Sequence, residues 1–315
     1  MDADRRRVEQ ALLEAVTTPD AYLTEIASHL ISAGGKRLRP VMTLVASTVG
    51  SDGPASHEAV LGGISCELVH LGSLYHDDVM DEATTRRGVD TVNAKWGNLQ
   101  AILAGDFLLA RASEIAASLG TEVAGLLART IGRLCEGQIE ELRHTYDVSR
   151  PVGSYLESID GKTASLYSTA ARIGGIVAGH DRRTVDLLTD YGTAYGMVFQ
   201  IVDDVLDLIA TDEELGKPAG HDMEEGVYTL PVLHTLASGG SAAKELQAIL
   251  GKPLTSDERT KVLDIVRSNG GVQSAIDHAR TFVEKSERIC DDLPRSGSTD
   301  AMRESTAQLL GTVIR

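Results

Sequence analysis

Apolar residues recur along most of this chain at the i, i+3, i+4 spacing of one helix face. Val123, Leu126, Leu127, Ile131 and Leu134 form one such stripe. Leu99, Ile102, Leu103 and Phe107 form another, and Val262, Leu263, Ile265 and Val266 a third. Strict apolar–polar alternation is nowhere sustained. Breaks fall at Gly50-Ser51-Asp52-Gly53-Pro54, Arg150-Pro151, Ser238-Gly239-Gly240-Ser241 and Leu293-Pro294. Thr255 with Glu258 predicts a capping box. There is no solenoid-length repeat and no long linker. The pattern predicts an all-α chain, residues 1–315 forming one domain built as a large helix bundle. The exception is Thr211 to Pro231, which holds Gly216, Pro218, Gly220 and Gly226 and reads as a long loop of the kind that is functional or disordered.

Composition narrows the function classes. The 315 residues carry a net charge of −16, which argues against a nucleic-acid binder. Aromatics are only 4%, so Leu, Val, Ile and Ala must fill the core. Cys66, Cys135 and Cys290 form no CxxC pair, so neither a zinc site nor a disulfide framework is indicated, and a reduced, cytoplasmic compartment is expected. Met1 to Gln10 is charged and lacks a signal-peptide core. No uncharged apolar run reaches the ~20 residues of a membrane span. Asp106 interrupts the nearest candidate, Gln100 to Ala110.

The chemistry lies in a short motif that occurs twice. Asp77-Asp78-Val79-Met80-Asp81 and Asp203-Asp204-Val205-Leu206-Asp207 each follow an apolar helical stretch. Residues four apart share a helix face, so Asp77 stacks with Asp81 and Asp203 with Asp207. Carboxylates without His or Cys suit a hard cation such as Mg2+, which bridges to substrate phosphates. Clustered carboxylates would otherwise repel one another. Two local basic clusters complement them: Gly34-Gly35-Lys36-Arg37-Leu38-Arg39-Pro40, and Arg86-Arg87-Gly88 just past Asp81. Guanidinium forks bind phosphate oxygens bidentately. Gly161-Lys162-Thr163 is not a P-loop, because the position five before Gly161 is Leu156 and no strand precedes it.

From about Gly34 to Pro231 these motifs jointly resemble the trans-isoprenyl diphosphate synthase (polyprenyl synthetase) family. They are Gly-Gly-Lys-Arg-Leu-Arg-Pro, the first Asp-rich motif with Arg86-Arg87-Gly88, Gly-Lys-Thr, and Phe199-Gln200-Ile201-Val202-Asp203-Asp204. Gly216-Lys217-Pro218 and Thr229-Leu230-Pro231 follow. The resemblance implies the isoprenoid synthase fold, mostly antiparallel helices around a central cavity, as a homodimer. It implies successive condensation of isopentenyl diphosphate with an allylic diphosphate to a linear all-trans product. Asp77, Asp81 and Asp203 would ligate Mg2+, supported by Asp78, Asp204 and Asp207, with three ions once substrate is bound and Mn2+ able to substitute. Lys36, Arg39, His70 and Arg87 would hold isopentenyl diphosphate. Arg86, Lys162, Thr163, Gln200 and Lys217 would serve the allylic diphosphate and its developing cation. Val227 follows Glu225-Gly226, where many members have Lys, which removes one expected cation.

Product length is expected to follow the wall beneath Asp77. A helix rises ~1.5 Å per residue, which sets Gly72 roughly 7.5 Å below Asp77. Gly72 and Ser73 provide no aromatic plug, so a product longer than fifteen carbons is expected, with Phe107 as a deeper floor. Tyr75 lies nearer the motif. A class I terpene cyclase would not need the Lys36-Arg39-His70-Arg87 set and usually lacks the second Asp motif. A non-catalytic subunit of a two-component synthase would generally lose both motifs, and a helical scaffold would leave the acidic pairs unexplained.

Overall fold

The computed structural model describes residues 2–51, 53–210 and 219–314. Helices supply nearly all of its regular structure: α1 (Asp2–Val16), α2 (Ala21–Ser32), α3 (Leu38–Ser47), α4 (His57–Met80), α5 (Val92–Trp96), α6 (Asn98–Ser118), α7 (Thr121–Arg143), α8 (Val152–Ile159), α9 (Ser165–Val177) and α10 (Arg182–Ile209). After residue 218 come α11 (His221–Glu224), α12 (Leu230–Ala237), α13 (Gly240–Ile249), α14 (Ser256–Ser268), α15 (Gly271–Asp292) and α16 (Gly297–Gly311). Local chemistry starts several of them. The Asp20 carboxylate accepts from Tyr22 N at 2.9 Å to cap α2, and the Ser56 hydroxyl accepts from Ala59 N at 3.1 Å to cap α4. The Thr255–Glu258 capping box is present at α14.

The chain divides into two compact units. The first comprises Met1–Ile131, Leu166–Gly192 and Leu293–Thr299; the second comprises Gly132–Ser165, Thr193–Asp292 and Asp300–Arg315. In the first, α4 is enclosed by neighbours that approach its glycines. A Cβ on Gly63 would lie 2.9 Å from Pro40 Cα of α3, and one on Gly62 would lie 2.5 Å from Ile173 of α9. Close backbone approach fills space that aromatic side chains would otherwise occupy.

The same economy corrects one expectation from the pattern. α6 forms as predicted, but Ala101, Ala104, Gly105, Leu108, Ala112 and Ala116 make its buried face. Leu99, Ile102 and Leu103 are 66%, 41% and 58% exposed. The small-residue ridge lets α6 lie closer to α4 than the Leu/Ile ridge could.

The core of the second unit gathers Val198, Ile201, Val202, Val205 and Leu208 of α10 against Leu230 and Leu233 of α12, Leu246 of α13, Val262 and Val266 of α14, and Ala275 and Val283 of α15. The third stripe seen in the sequence thus supplies core on α14, with Ile265 packed against it.

One element escaped the pattern: an antiparallel hairpin, β1 (Thr85–Arg86) and β2 (Val89–Asp90), with Arg86 opposite Val89. Arg87 (φ 54°) and Gly88 (φ 76°) turn it with both central residues left-handed, as in a type I′ turn. Two residues per strand are too few to show alternation. Part of the expected loop is helical, because α11 and the start of α12 fall within it; residues 211–218, with Gly216, Lys217 and Pro218, lie outside the described residues. Among the described residues no helix is long and apolar enough to cross a membrane.

Candidate active site

The last turns of α4 carry the first acidic motif. Asp81 caps the helix, its N–H donating to Asp77 O at 2.8 Å, so the two carboxylate-bearing residues are one helical turn apart. Asp77 is half-buried and Asp81 exposed, whereas Asp78 is fully buried. Asp78 Oδ1 accepts from Arg86 Nε at 2.6 Å, and its backbone oxygen accepts from Asn93 at 3.0 Å. Burial pushes the Asp78 carboxyl above its ordinary range, against the pull of Arg86. Asp78 and Arg86, expected at the metal and the allylic diphosphate, bind each other here and tie the β1–β2 hairpin to α4. The Tyr75 hydroxyl donates to Ile26 O at 2.8 Å on α2, so its ring is buried core.

Two segments, the start of α3 and the β1–β2 hairpin, bring the guanidinium groups that act on His70. Arg87 Nη1 donates to Leu30 O at 3.0 Å and to Gly34 O, which fastens the hairpin tip to the Gly34-Gly35 loop. Arg37 is buried in left-handed geometry at the start of α3. It grips Glu9 with two hydrogen bonds of 2.8 and 3.1 Å, and donates to Glu67 at 3.2 Å and Ile31 O at 2.8 Å. Arg37 is therefore the anchor that leaves the exposed Lys36 and the half-buried Arg39 on either side of it. Arg39 lies 4.6 Å from the centre of the Tyr167 ring. Burial, then the charges of Arg39, Arg87, Arg86 and Arg37, drive the His70 imidazole well below its ordinary pKa. The charges that act most on His70 are all guanidinium groups, and a neutral imidazole among them suits a polyanionic ligand.

In the second unit, Lys162 and Thr163 sit on a π-helical turn, Asp160–Ala164, between α8 and α9. Such turns often mark functional sites. The turn packs against the α7 backbone, where a Cβ on Gly137 would lie 2.5 Å from Lys162 N. Lys162 Nζ donates to Glu141 Oε1 of α7 at 2.6 Å. Thr163 Oγ1 donates to Gln200 Oε1 at 2.7 Å, and Gln200 Nε2 donates to Asp204 Oδ1 at 2.8 Å. Tyr155 of α8 donates to the other Asp204 oxygen. Burial, then the charge of Asp222, pushes the Asp204 carboxyl well above its usual range. Asp203 is exposed and Asp207 buried, the latter's backbone oxygen accepting from Gly220 N at 2.8 Å. The middle carboxylate of each motif is thus held by protein donors.

A model of the polyprenyl synthetase family matches residues 20–266. The chain belongs to the polyprenyl synthetase family. It is 40% identical to a nonaprenyl diphosphate synthase of Mycobacterium tuberculosis, over 97% of this chain and 92% of that protein. Among polyprenyl synthetase structures, a heptaprenyl diphosphate synthase from Staphylococcus aureus superposes with a TM-score of 0.93 at 30% identity, covering 98% of each chain. A geranylgeranyl pyrophosphate synthase from Corynebacterium glutamicum, solved with calcium and isoprenyl diphosphate, gives 0.87 at 37% identity, over 99% of this chain and 96% of that one. The fold is the all-α isoprenoid synthase fold, and the activity is that of a prenyltransferase.

The first unit therefore holds Lys36, Arg39, His70, Asp77, Asp78, Asp81, Arg86 and Arg87, and the second holds Lys162, Thr163, Gln200, Asp203, Asp204 and Asp207. Lys217 lies outside the described residues. Among the described residues no three His, Cys, Asp or Glu side chains form a ready-made metal cage. Sequence reasoning passed over Glu9, Glu67, Glu141 and Tyr155. The one signal for Glu141 was Gly137, a glycine inside a helix that marks a close neighbour. Gly72, expected to leave an open wall, is buried, and a Cβ there would lie 3.0 Å from Gly105 O of α6. Ser73, half-buried, turns its hydroxyl back to His70 O at 2.8 Å.

Proposed function

We propose that this chain is a homodimeric, cytoplasmic, Mg2+-dependent synthase that adds isopentenyl diphosphate repeatedly to an allylic diphosphate, giving a linear all-trans product longer than fifteen carbons. The whole chain, 1–315, would act as a single polyprenyl synthetase domain, a reading supported by the interleaving of the two units along the sequence. The observation that carries the assignment is α4 itself. One helix presents Asp77 and Asp81 at its end and, two turns earlier, a neutral His70 ringed by arginines.

The donor set fits a hard divalent ion: Asp77, Asp81, Asp203 and Asp207 offer only oxygens, in pairs too small to saturate an ion, so substrate diphosphate would complete each shell. The calcium in the C. glutamicum relative supports this reading. When bound, the ions neutralise charge on the departing diphosphate. Lys36, Arg39, His70 and Arg87 hold isopentenyl diphosphate. Lys162, with Lys217, steadies the allylic diphosphate, and Arg86 acts through Asp78. Without a Lys at Val227 that site has one cation fewer. As the allylic C–O bond breaks, the Gln200 amide oxygen and Thr163 hydroxyl oxygen face the resulting cation with negative partial charge. The isopentenyl double bond attacks C1, and the proton is lost to released diphosphate. The exposed Leu99, Ile102 and Leu103 on α6 support burial in a homodimer.

Incubation with isopentenyl diphosphate and primers of graded length, with products sized by mass spectrometry, tests the assignment. Linear products growing in five-carbon steps and ceasing on chelation are expected. A cyclic hydrocarbon formed without consumption of isopentenyl diphosphate would replace this reading with that of a terpene cyclase.

A further inference from the structure

Tyr155 has no place in the chemistry above, yet its surroundings are costly to build. Its ring and hydroxyl are buried, and the hydroxyl donates to Asp204, itself buried. The Arg150 guanidinium lies 5.7 Å from the centre of the Tyr155 ring and is also buried. A core that needed only packing would be at least as stable with Phe and Leu at these two positions, because replacing both partners of a buried polar pair by apolar groups of similar shape is often neutral or stabilising. The pair therefore needs a reason beyond stability.

The hydrogen-bond directions supply one. An amide has two chemically opposite ends, and Gln200 would serve a cation only with its oxygen forward. Asp204 Oδ1 accepts from Gln200 Nε2 at 2.8 Å, which fixes the NH2 group inward and turns the oxygen toward Thr163 Oγ1, 2.7 Å away. Thr163 spends its proton on that oxygen, so its own lone pairs remain available. This polarity holds only while Asp204 is purely an acceptor toward Gln200. The Tyr155 hydroxyl engages the second carboxylate oxygen as a donor and so locks the carboxylate plane. Arg150 packs on the ring that carries the hydroxyl.

We infer that Tyr155 and Asp204 are positioning residues that orient the Gln200 amide, so that Gln200 and Thr163 present oxygens rather than N–H groups to the allylic cation. Asp204 thereby has a role separate from metal ligation, although it lies in the acidic motif. The inference rests on the reading of Gln200 and Thr163 given above, and the experiment separates the two.

Tyr155→Phe, Gln200→Ala and the double variant are compared at saturating Mg2+. Tyr155→Phe is expected to lower kcat by about tenfold or more while both KM values and the Mg2+ requirement stay within about twofold, the signature of an interaction made in the transition state. The double variant is expected to be no slower than Gln200→Ala alone, since Tyr155 acts through Gln200. Multiplicative losses, a wild-type kcat in Tyr155→Phe, or a raised Mg2+ requirement would overturn the inference while leaving Gln200 in its role. Gln200→Ala with wild-type kcat would overturn the role of Gln200 and the inference with it. If Tyr155→Phe does not fold, Asp204→Asn replaces it in the cycle. Its amide can offer N–H to Gln200 and reverse the orientation, so the same kcat loss and the same lack of additivity are expected.

Discussion

Gly72 of α4 and Gly105 of α6 meet backbone to backbone: a Cβ on Gly72 would lie 3.0 Å from the Gly105 carbonyl oxygen, and one on Gly105 would lie 3.1 Å from the Gly72 carbonyl oxygen. The position below Asp77 that looked open in the sequence is filled by a neighbouring helix. Gly72→Phe is therefore expected to force α4 and α6 apart, at a cost of about 1–3 kcal/mol or more, seen as a lower Tm or insoluble protein. Ser73 is four residues from Asp77 and three from His70, so it shares their face. Ser73→Phe is expected to fold and release shorter products by mass spectrometry. An unchanged product distribution would move the length-setting position elsewhere, with Phe107 the next to test.

The two kinds of carboxylate in the first motif should separate in experiment. Asp77→Ala and Asp81→Ala, at half-buried and exposed positions, are expected to cut kcat by orders of magnitude and to lower the melting temperature less than Asp78→Ala. Asp78→Ala strands Arg86 and loosens the hairpin, so it is expected to cost about 1–3 kcal/mol of stability. Thermal melts set beside turnover distinguish the cases. Equal stability loss in all three variants would show that the motif acts as one structural unit.

Glu9 stands far from the acidic motifs in sequence, yet it holds Arg37, the residue between Lys36 and Arg39. Glu9→Ala is expected to raise the KM for isopentenyl diphosphate about tenfold, equivalent to ~1.4 kcal/mol, with kcat and the allylic KM little changed. A rise confined to the allylic KM would reverse the assignment of the two diphosphate sites.

His70 should mark the pH dependence of stability. Its folded pKa is depressed below the ordinary 6.5, so below pH 6.5 the unfolded chain binds a proton that the folded chain does not. Its contribution is complete above pH 6.5 and falls as pH drops, by at most about 1.4 kcal/mol per unit. His234 and His278 are depressed by burial and act in the same direction. Urea melts of His70→Asn should show a shallower loss between pH 6.5 and 5 than the wild type. Identical slopes would mean that His70 is not neutral in the fold.

Helix period and breaker residues were enough to read the chain as all-α, to place stretches of α6, α7 and α14 and to mark four of the breaks between helices, because both depend on neighbours in sequence. The face that a helix buries depends on its partner, and α6 shows the limit. Leu99, Ile102 and Leu103 dominate its pattern, but the alanine ridge is buried because it allows the closer approach to α4. The acidic motifs were legible for a similar reason, since four-residue spacing fixes a face. The fates of Asp78 and Asp204 were not, because Arg86 lies across a turn with no sequence signature and Tyr155 is 49 positions from Asp204.

The glycine contacts along α4 restrict insertions and deletions more than they restrict side chains. Gly62, Gly63 and Gly72 are seated against three other helices, so the lower part of α4 cannot rotate about its axis. Each residue of an α-helix advances the direction of its side chains by about 100°. One residue added or removed between Gly72 and Asp77 would therefore swing both carboxylates about a quarter turn away from His70 and the arginines around it, even if every functional side chain were kept. The length of that short stretch is part of the active site in its own right.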